Sequence, residues 1–127
     1  MSDITHPLAR ARGHGSARSG VRHWVAQRFS AVLLLLLLPW LVYALFSVAG
    51  ADHAAAARFA ARPWNAALLL LSLLTLLYHA VLGMQVVIED YVHSRALELA
   101  LHFIVRAGAV FAAALGVIHV AKLVLGA

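Results

Sequence analysis

Between His79 and His93 the chain reads HAVLGMQVVIEDYVH, which puts one histidine inside a long apolar run and an Asp90–Tyr91 pair at its end. An ionisable residue at membrane depth calls for a functional reason. If the segment is helical, His79 and Asp90 lie about three turns, roughly 16 Å, apart. That is about half of a hydrocarbon layer of roughly 30 Å, so with Asp90 and Tyr91 at the water interface His79 sits near the middle. A buried imidazole joined to a polar pocket at the membrane surface is a pattern suited to electron transfer. The chain has no cysteine, so it forms no disulfide and offers no thiolate to an iron–sulfur cluster or haem. Any redox centre it holds is held by histidine.

The elements that position these residues follow from composition. Hydrophobic residues make up 64% of the chain and charged residues 12%, which excludes an ordinary soluble domain. The apolar residues form three blocks, and the spacing predicts an all-α fold of three transmembrane helices with spans at about 29–49, 64–89 and 97–125. Residues 1–28 form an N-terminal segment outside the membrane, and 29–127 the three-helix unit. The second and third blocks exceed the hydrocarbon thickness and must tilt or project into the interfaces. Pro39 predicts a kink in the first span without breaking it, because neighbouring helices can satisfy the freed carbonyl. Gly50 to Pro63 reads as a short alanine-rich connection, and Pro63-Trp64 as a helix start with an interfacial aromatic. There is no internal repeat and no second domain.

Charge sets the orientation. Arg10, Arg12, Arg18, Arg22 and Arg28 precede the first span, opposed only by Asp3, so the N-terminus is expected in the cytoplasm and the C-terminus in the periplasm. The Asp90–Tyr91 end of the second span then faces the cytoplasm. The formal charge of +5 comes mostly from this topogenic tail and does not indicate nucleic-acid binding. The tail is also serine-containing and acid-poor, like a mitochondrial transit peptide, so the alternative to a bacterial inner membrane is the mitochondrial inner membrane.

On a helix advancing about 100° per residue, Asn65, Leu68, Ser72, Thr75, Gly83, Val86 and Asp90 fall within about 40° of His79. This polar or small stripe has two readings that geometry alone does not separate. It is a helix-packing face with a hydrogen-bonded histidine, or a cofactor site in which Gly83 leaves room for something flat against the backbone.

The motif HAVLGMQVVIEDYVH resembles the hydrophobic membrane anchor family of bacterial succinate dehydrogenase, the smaller of the two cytochrome b556 anchor polypeptides. The shared pattern is a histidine with a small residue at plus four, a Gln-Val, and an Asp-Tyr-Val ending. The pre-span segment GVRHWVAQRFSA, with Arg28-x-Ser30-Ala31, is similar to the Arg-x-Ser/Thr-Ala at the family's first helix. Length, three spans and an inside N-terminus agree over nearly the whole chain, the third helix by hydropathy only.

The resemblance implies half of a heterodimeric helix bundle, not catalytic alone, that anchors succinate:ubiquinone oxidoreductase and links the citric acid cycle to the respiratory chain. Its implied partners are the flavoprotein subunit, the iron–sulfur subunit, a second cytochrome b anchor and membrane lipid. The implied cofactor is a haem b shared with that second anchor, with ubiquinone as substrate. Residue by residue, His79 is then the axial haem-iron ligand and Tyr91 the ubiquinone contact. Asp90 becomes part of the ubiquinone pocket, orienting the phenol or relaying protons, and Arg28 a partner for a haem propionate. The other readings are a haem-free packing subunit of another membrane complex and a fumarate reductase anchor.

The remaining polar residues are weaker signals. His6, His14, His53 and His93 read as exposed, and His23 with Trp24 as an interfacial segment touching soluble subunits. Glu98, His102 and Arg106 recur every four residues on one face, where Arg106 can snorkel, pair with Glu98 or meet a propionate. His119 would serve a second haem only if there were one.

Overall fold

The computed structural model describes residues 18–126, and the expectations for Asp3, His6, Arg10, Arg12 and His14 lie outside them. Four helices follow in order: α1 Arg18–Val48, α2 His53–Ala61, α3 Pro63–Tyr91 and α4 Arg95–Leu125. Three of them, α1, α3 and α4, are long and apolar enough to cross a membrane.

Each long helix outruns its apolar block. α1 starts at Arg18 and passes unbroken through Pro39, so residues 18–28 extend the span as helix. The 29 residues of α3 make it about 43 Å long, so its polar C-terminal turns clear a hydrocarbon layer of about 30 Å. Pro63 occupies the first turn of α3, where its missing N–H costs no helical bond, and Arg62 stands at the N-cap.

The expected Gly50–Pro63 connection is itself largely helical. Asp52 caps α2, its carboxylate accepting the Ala55 backbone N–H at 2.6 Å. Asn65 of α3 reaches back, its Nδ2 donating to the Phe59 carbonyl at 2.7 Å, and ties the end of α2 to the start of α3. The opposite link, Val92–Ser94, is only three residues long.

α3 is the central element. It packs against α1 on one side and α4 on the other, and among the described residues α1 and α4 do not touch. The buried positions lie on α1 and α3. On α1 they are Ser30, Leu34, Leu37 and Ala44, and on α3 Ala66, Ser72, Thr75, Leu82 and Ile88. The positions 30, 34, 37 and 44 recur at helical spacing, as do 72, 75 and 82, so one stripe of each helix meets the other. α4 has no buried residue. At its contact with α3, Gly116 faces Leu73 so closely that any side chain there would displace the Leu73 methyl. The result is an open row of three helices whose outer faces remain available to lipid or to other helices.

Candidate functional site

The stripe predicted on the second span faces α1. Ser72 and Thr75 are buried and His79 is half-buried beside them, because small and polar side chains let two backbones approach in an apolar medium. His79 lies twelve residues before the end of α3, about 18 Å from it. Its partner Ser30 lies twelve residues after the start of α1, so both helices bring the site to similar depth.

Two α1 side chains meet the imidazole. The Ser30 hydroxyl lies 2.9 Å from His79 Nδ1 and also donates to the Gln27 backbone carbonyl at 3.0 Å. The Gln27 amide nitrogen stands 3.5 Å from His79 Nε2, a longer and weaker contact. One turn along α3, a side-chain carbon at Gly83 would meet only that same Gln27 nitrogen, at 3.7 Å. One ring nitrogen is thus firmly held, and the other is approached only by the end of a flexible side chain beside a glycine.

Toward the Tyr91 end of α3 the α1–α3 seam opens into a cavity of about 570 Å³, lined by His23, Trp24, Gln27, Gly83, Gln85 and Glu89 among others. His23 Nε2 and Gln27 Oε1 are buried there without a hydrogen-bond partner. The far wall is tied to α4: Gln85 Nε2 donates to Glu89 Oε1 at 2.9 Å, Arg106 Nη2 approaches Gln85 Oε1 at 3.4 Å, and His102 lies 4.0 Å from Glu89. A mostly leucine-lined cavity of about 240 Å³, with Leu34, Leu37 and Leu41 among its walls and Ser72, whose hydroxyl is buried without a partner, occupies the seam on the opposite side of His79.

The other predicted site residues are more open. Asp90 is exposed and Tyr91 is 77% exposed, and among the described residues no hydrogen bond joins them. Tyr91 lies about 120° around α3 from His79 and more than three turns away, so the two do not meet. Arg28 is exposed and stacks its guanidinium over Trp24, 5.3 Å from the ring centroid. His53 and His93 are exposed as expected, whereas His23 is half-buried against the cavity.

On α4, of the alternatives open to Arg106, the pairing with Glu98 does not form. Eight residues are more than two turns, about 12 Å along the axis, so Glu98 pairs instead with Arg95 at 2.9 Å while Arg106 turns to Gln85. His119 Nδ1 donates to the Leu115 carbonyl of its own helix at 2.7 Å.

Sequence alone does not single out Ser30 and Gln27 as partners of His79. A signal for Ser30 is present, since Phe29 to Ala49 holds only Ser30 and Ser47 as polar residues. Ser47 spends its hydroxyl on the Tyr43 carbonyl of its own helix, whereas Ser30 also reaches a neighbour.

An open row of three helices long and apolar enough to cross a membrane, with a bonded histidine near the middle of the central one, defines a multi-pass helical membrane protein. Residues 2–125 match the family described as succinate dehydrogenase/fumarate reductase transmembrane subunit, and the chain belongs to that family. It is 41% identical to the succinate dehydrogenase hydrophobic membrane anchor subunit of Rickettsia bellii over 96 residues, covering 76% of this chain and 77% of that protein. Identity to the same subunit of Rickettsia typhi is 36% over 104 residues, covering 82% and 83%. For the subunit of Paracoccus denitrificans it is 32% over 122 residues, covering 95% and 93%.

Proposed function

We propose that this chain is the membrane anchor of a succinate:ubiquinone oxidoreductase, that His79 supplies one axial ligand to a haem b shared with a second anchor polypeptide, and that the Tyr91 end of α3 helps form the ubiquinone site. The observation that carries the reading is the state of His79: one ring nitrogen fixed by Ser30, the other loosely approached beside Gly83. The open row supports the second anchor, since α1 and α4 leave both flanks of α3 for other helices to complete.

The fit to haem rests on this donor set. Among the described residues there is no cluster of three or more metal-binding side chains, but a haem asks only one imidazole of this chain. Bound haem would supply a one-electron carrier within the membrane. The protein's own part is to hold the His79 ring at depth, to keep Nε2 unprotonated, and to exclude water from the apolar side of the seam, where leucines line the cavity. Arg28, one residue after Gln27 on α1, is the cation of this chain that the reading assigns to a propionate.

At the surface, the Tyr91 phenol can donate to a quinone carbonyl oxygen. Asp90 beside it is an exposed carboxylate able to pass protons, which quinone reduction consumes. The flavoprotein and iron–sulfur subunits would dock at this same end, which the five arginines before the first span assign to the cytoplasmic side of a bacterial inner membrane.

The test is to purify the complex through a tag on this chain and record its subunits and its reduced-minus-oxidised spectrum. The expected result is four polypeptides with a b-type haem signal. A complex with those subunits and no haem would remove the cofactor reading, and one lacking the flavoprotein would remove the anchor reading.

A further inference from the structure

Ser30 is 2% exposed, the most deeply buried polar side chain among the described residues, and it stands at the head of a stretch of alanine, valine and leucine. A buried hydroxyl is costly unless it is bonded, and this one has a defined arrangement of partners. It carries one proton and two acceptor lone pairs. With the proton given to the Gln27 carbonyl at 3.0 Å, its contact with His79 at 2.9 Å is a hydrogen bond only if Nδ1 carries the ring hydrogen. The lone pair of the neutral ring is then on Nε2. The Gln27 amide, a donor, points at that atom from 3.5 Å, so the three groups form one consistent run of donors and acceptors.

We infer that Ser30 is a positioning residue: it fixes the tautomer of His79 that leaves Nε2 free for iron, and through the Nδ1–H bond it sets how strongly the imidazole donates to the metal. This rests on the haem-ligand reading of His79. A hydrogen bond accepted from the remote ring N–H raises the basicity of a ligating histidine. A more basic imidazole favours the ferric state, so removing the hydroxyl favours the ferrous state. The Gln27 amide is the partner that can give way, being longer and on a flexible stem, and Ser30 is the one that stays.

The experiment is a redox titration of the haem in the purified complex carrying Ser30→Ala and Ser30→Thr, with haem content measured alongside. Ser30→Ala should raise the ferrous-to-ferric ratio at a given potential by roughly tenfold, an upward shift of about 59 mV for a one-electron couple. Ser30→Thr keeps the hydroxyl and should stay near the wild-type potential. A wild-type potential in the Ala variant overturns the inference, as does an equal shift in both variants. If the Ala variant loses haem altogether, the Thr variant decides: haem retained with Thr supports the hydroxyl, and haem lost with Thr as well points to shape alone and overturns it. His79→Leu separates the two levels. Wild-type haem in that variant removes the ligand reading, whereas haem lost there with an unmoved Ser30→Ala potential removes only the role of Ser30.

Discussion

The Ser30 hydroxyl and the His79 imidazole, 49 positions apart in sequence, lie 2.9 Å apart at the centre of the α1–α3 seam. Among the described residues, the long-range polar contacts of α1 both converge on this one histidine of α3, so the seam and the candidate site are the same piece of structure. Changes at His79 should therefore separate from changes at the exposed end of α3.

Removing the imidazole leaves a buried iron with an open coordination position. His79→Leu should abolish or alter the low-spin b-type spectrum of the purified complex. Because the ring is half-buried and leucine suits the leucine-rich seam, α1 and α3 should still pair. A variant with wild-type haem content and spectrum would take His79 off the ligand list.

Tyr91 should fail differently, since it is 77% exposed and contributes little to packing. Losing one hydrogen bond to a bound quinone costs on the order of 1–2 kcal/mol, or roughly tenfold in rate. Tyr91→Phe should keep haem, subunit composition and succinate oxidation by an artificial acceptor that draws on the soluble subunits, and lose only ubiquinone reduction. Ubiquinone reduction at the wild-type rate across a full substrate titration would make Tyr91 an ordinary interfacial aromatic.

Much of the fold is legible in the sequence. Hydropathy locates the three long helices to within a few residues at most of their ends, because apolar length is what a bilayer selects. It puts the start of the first span at 29, whereas α1 begins at Arg18. Interfacial residues such as Arg22, His23 and Trp24 stay helical while no longer reading as apolar. The nine-residue α2 reads as a connection, yet its alanines are the strongest helix formers and Asp52 is a standard cap. The stripe on α3 is visible as periodicity, but periodicity within one helix does not say which neighbour it meets. For that reason Ser30 and Gln27 emerge only from the fold.

Topology is checked by reporters at the two chain ends. The arginine-rich segment before α1 and three crossings predict a cytoplasmic signal at the N-terminus and a periplasmic one at Ala127. Signals from the same side would mean an even number of crossings.

Packing between α3 and α4 is tested at Gly116, whose missing side chain is what lets Leu73 approach. Gly116→Ala should be tolerated at about 1 kcal/mol, the cost of moving the end of a flexible leucine off its preferred rotamer. Gly116→Leu should push α4 away and lower the melting temperature of the complex, and equal melting temperatures for the two variants would show that the contact carries no weight.

The connections of the row also differ in entropic cost. α3 and α4 are joined by three residues, so their hairpin closes with little loss of chain entropy. Ser30 and Gln27 must instead find His79 across 49 and 52 positions and the intervening α2. In a membrane each helix forms before the helices associate. Loop closure alone therefore favours the α3–α4 hairpin over the α1 seam, so the histidine pocket is the part of the row that demands most of the chain's entropy.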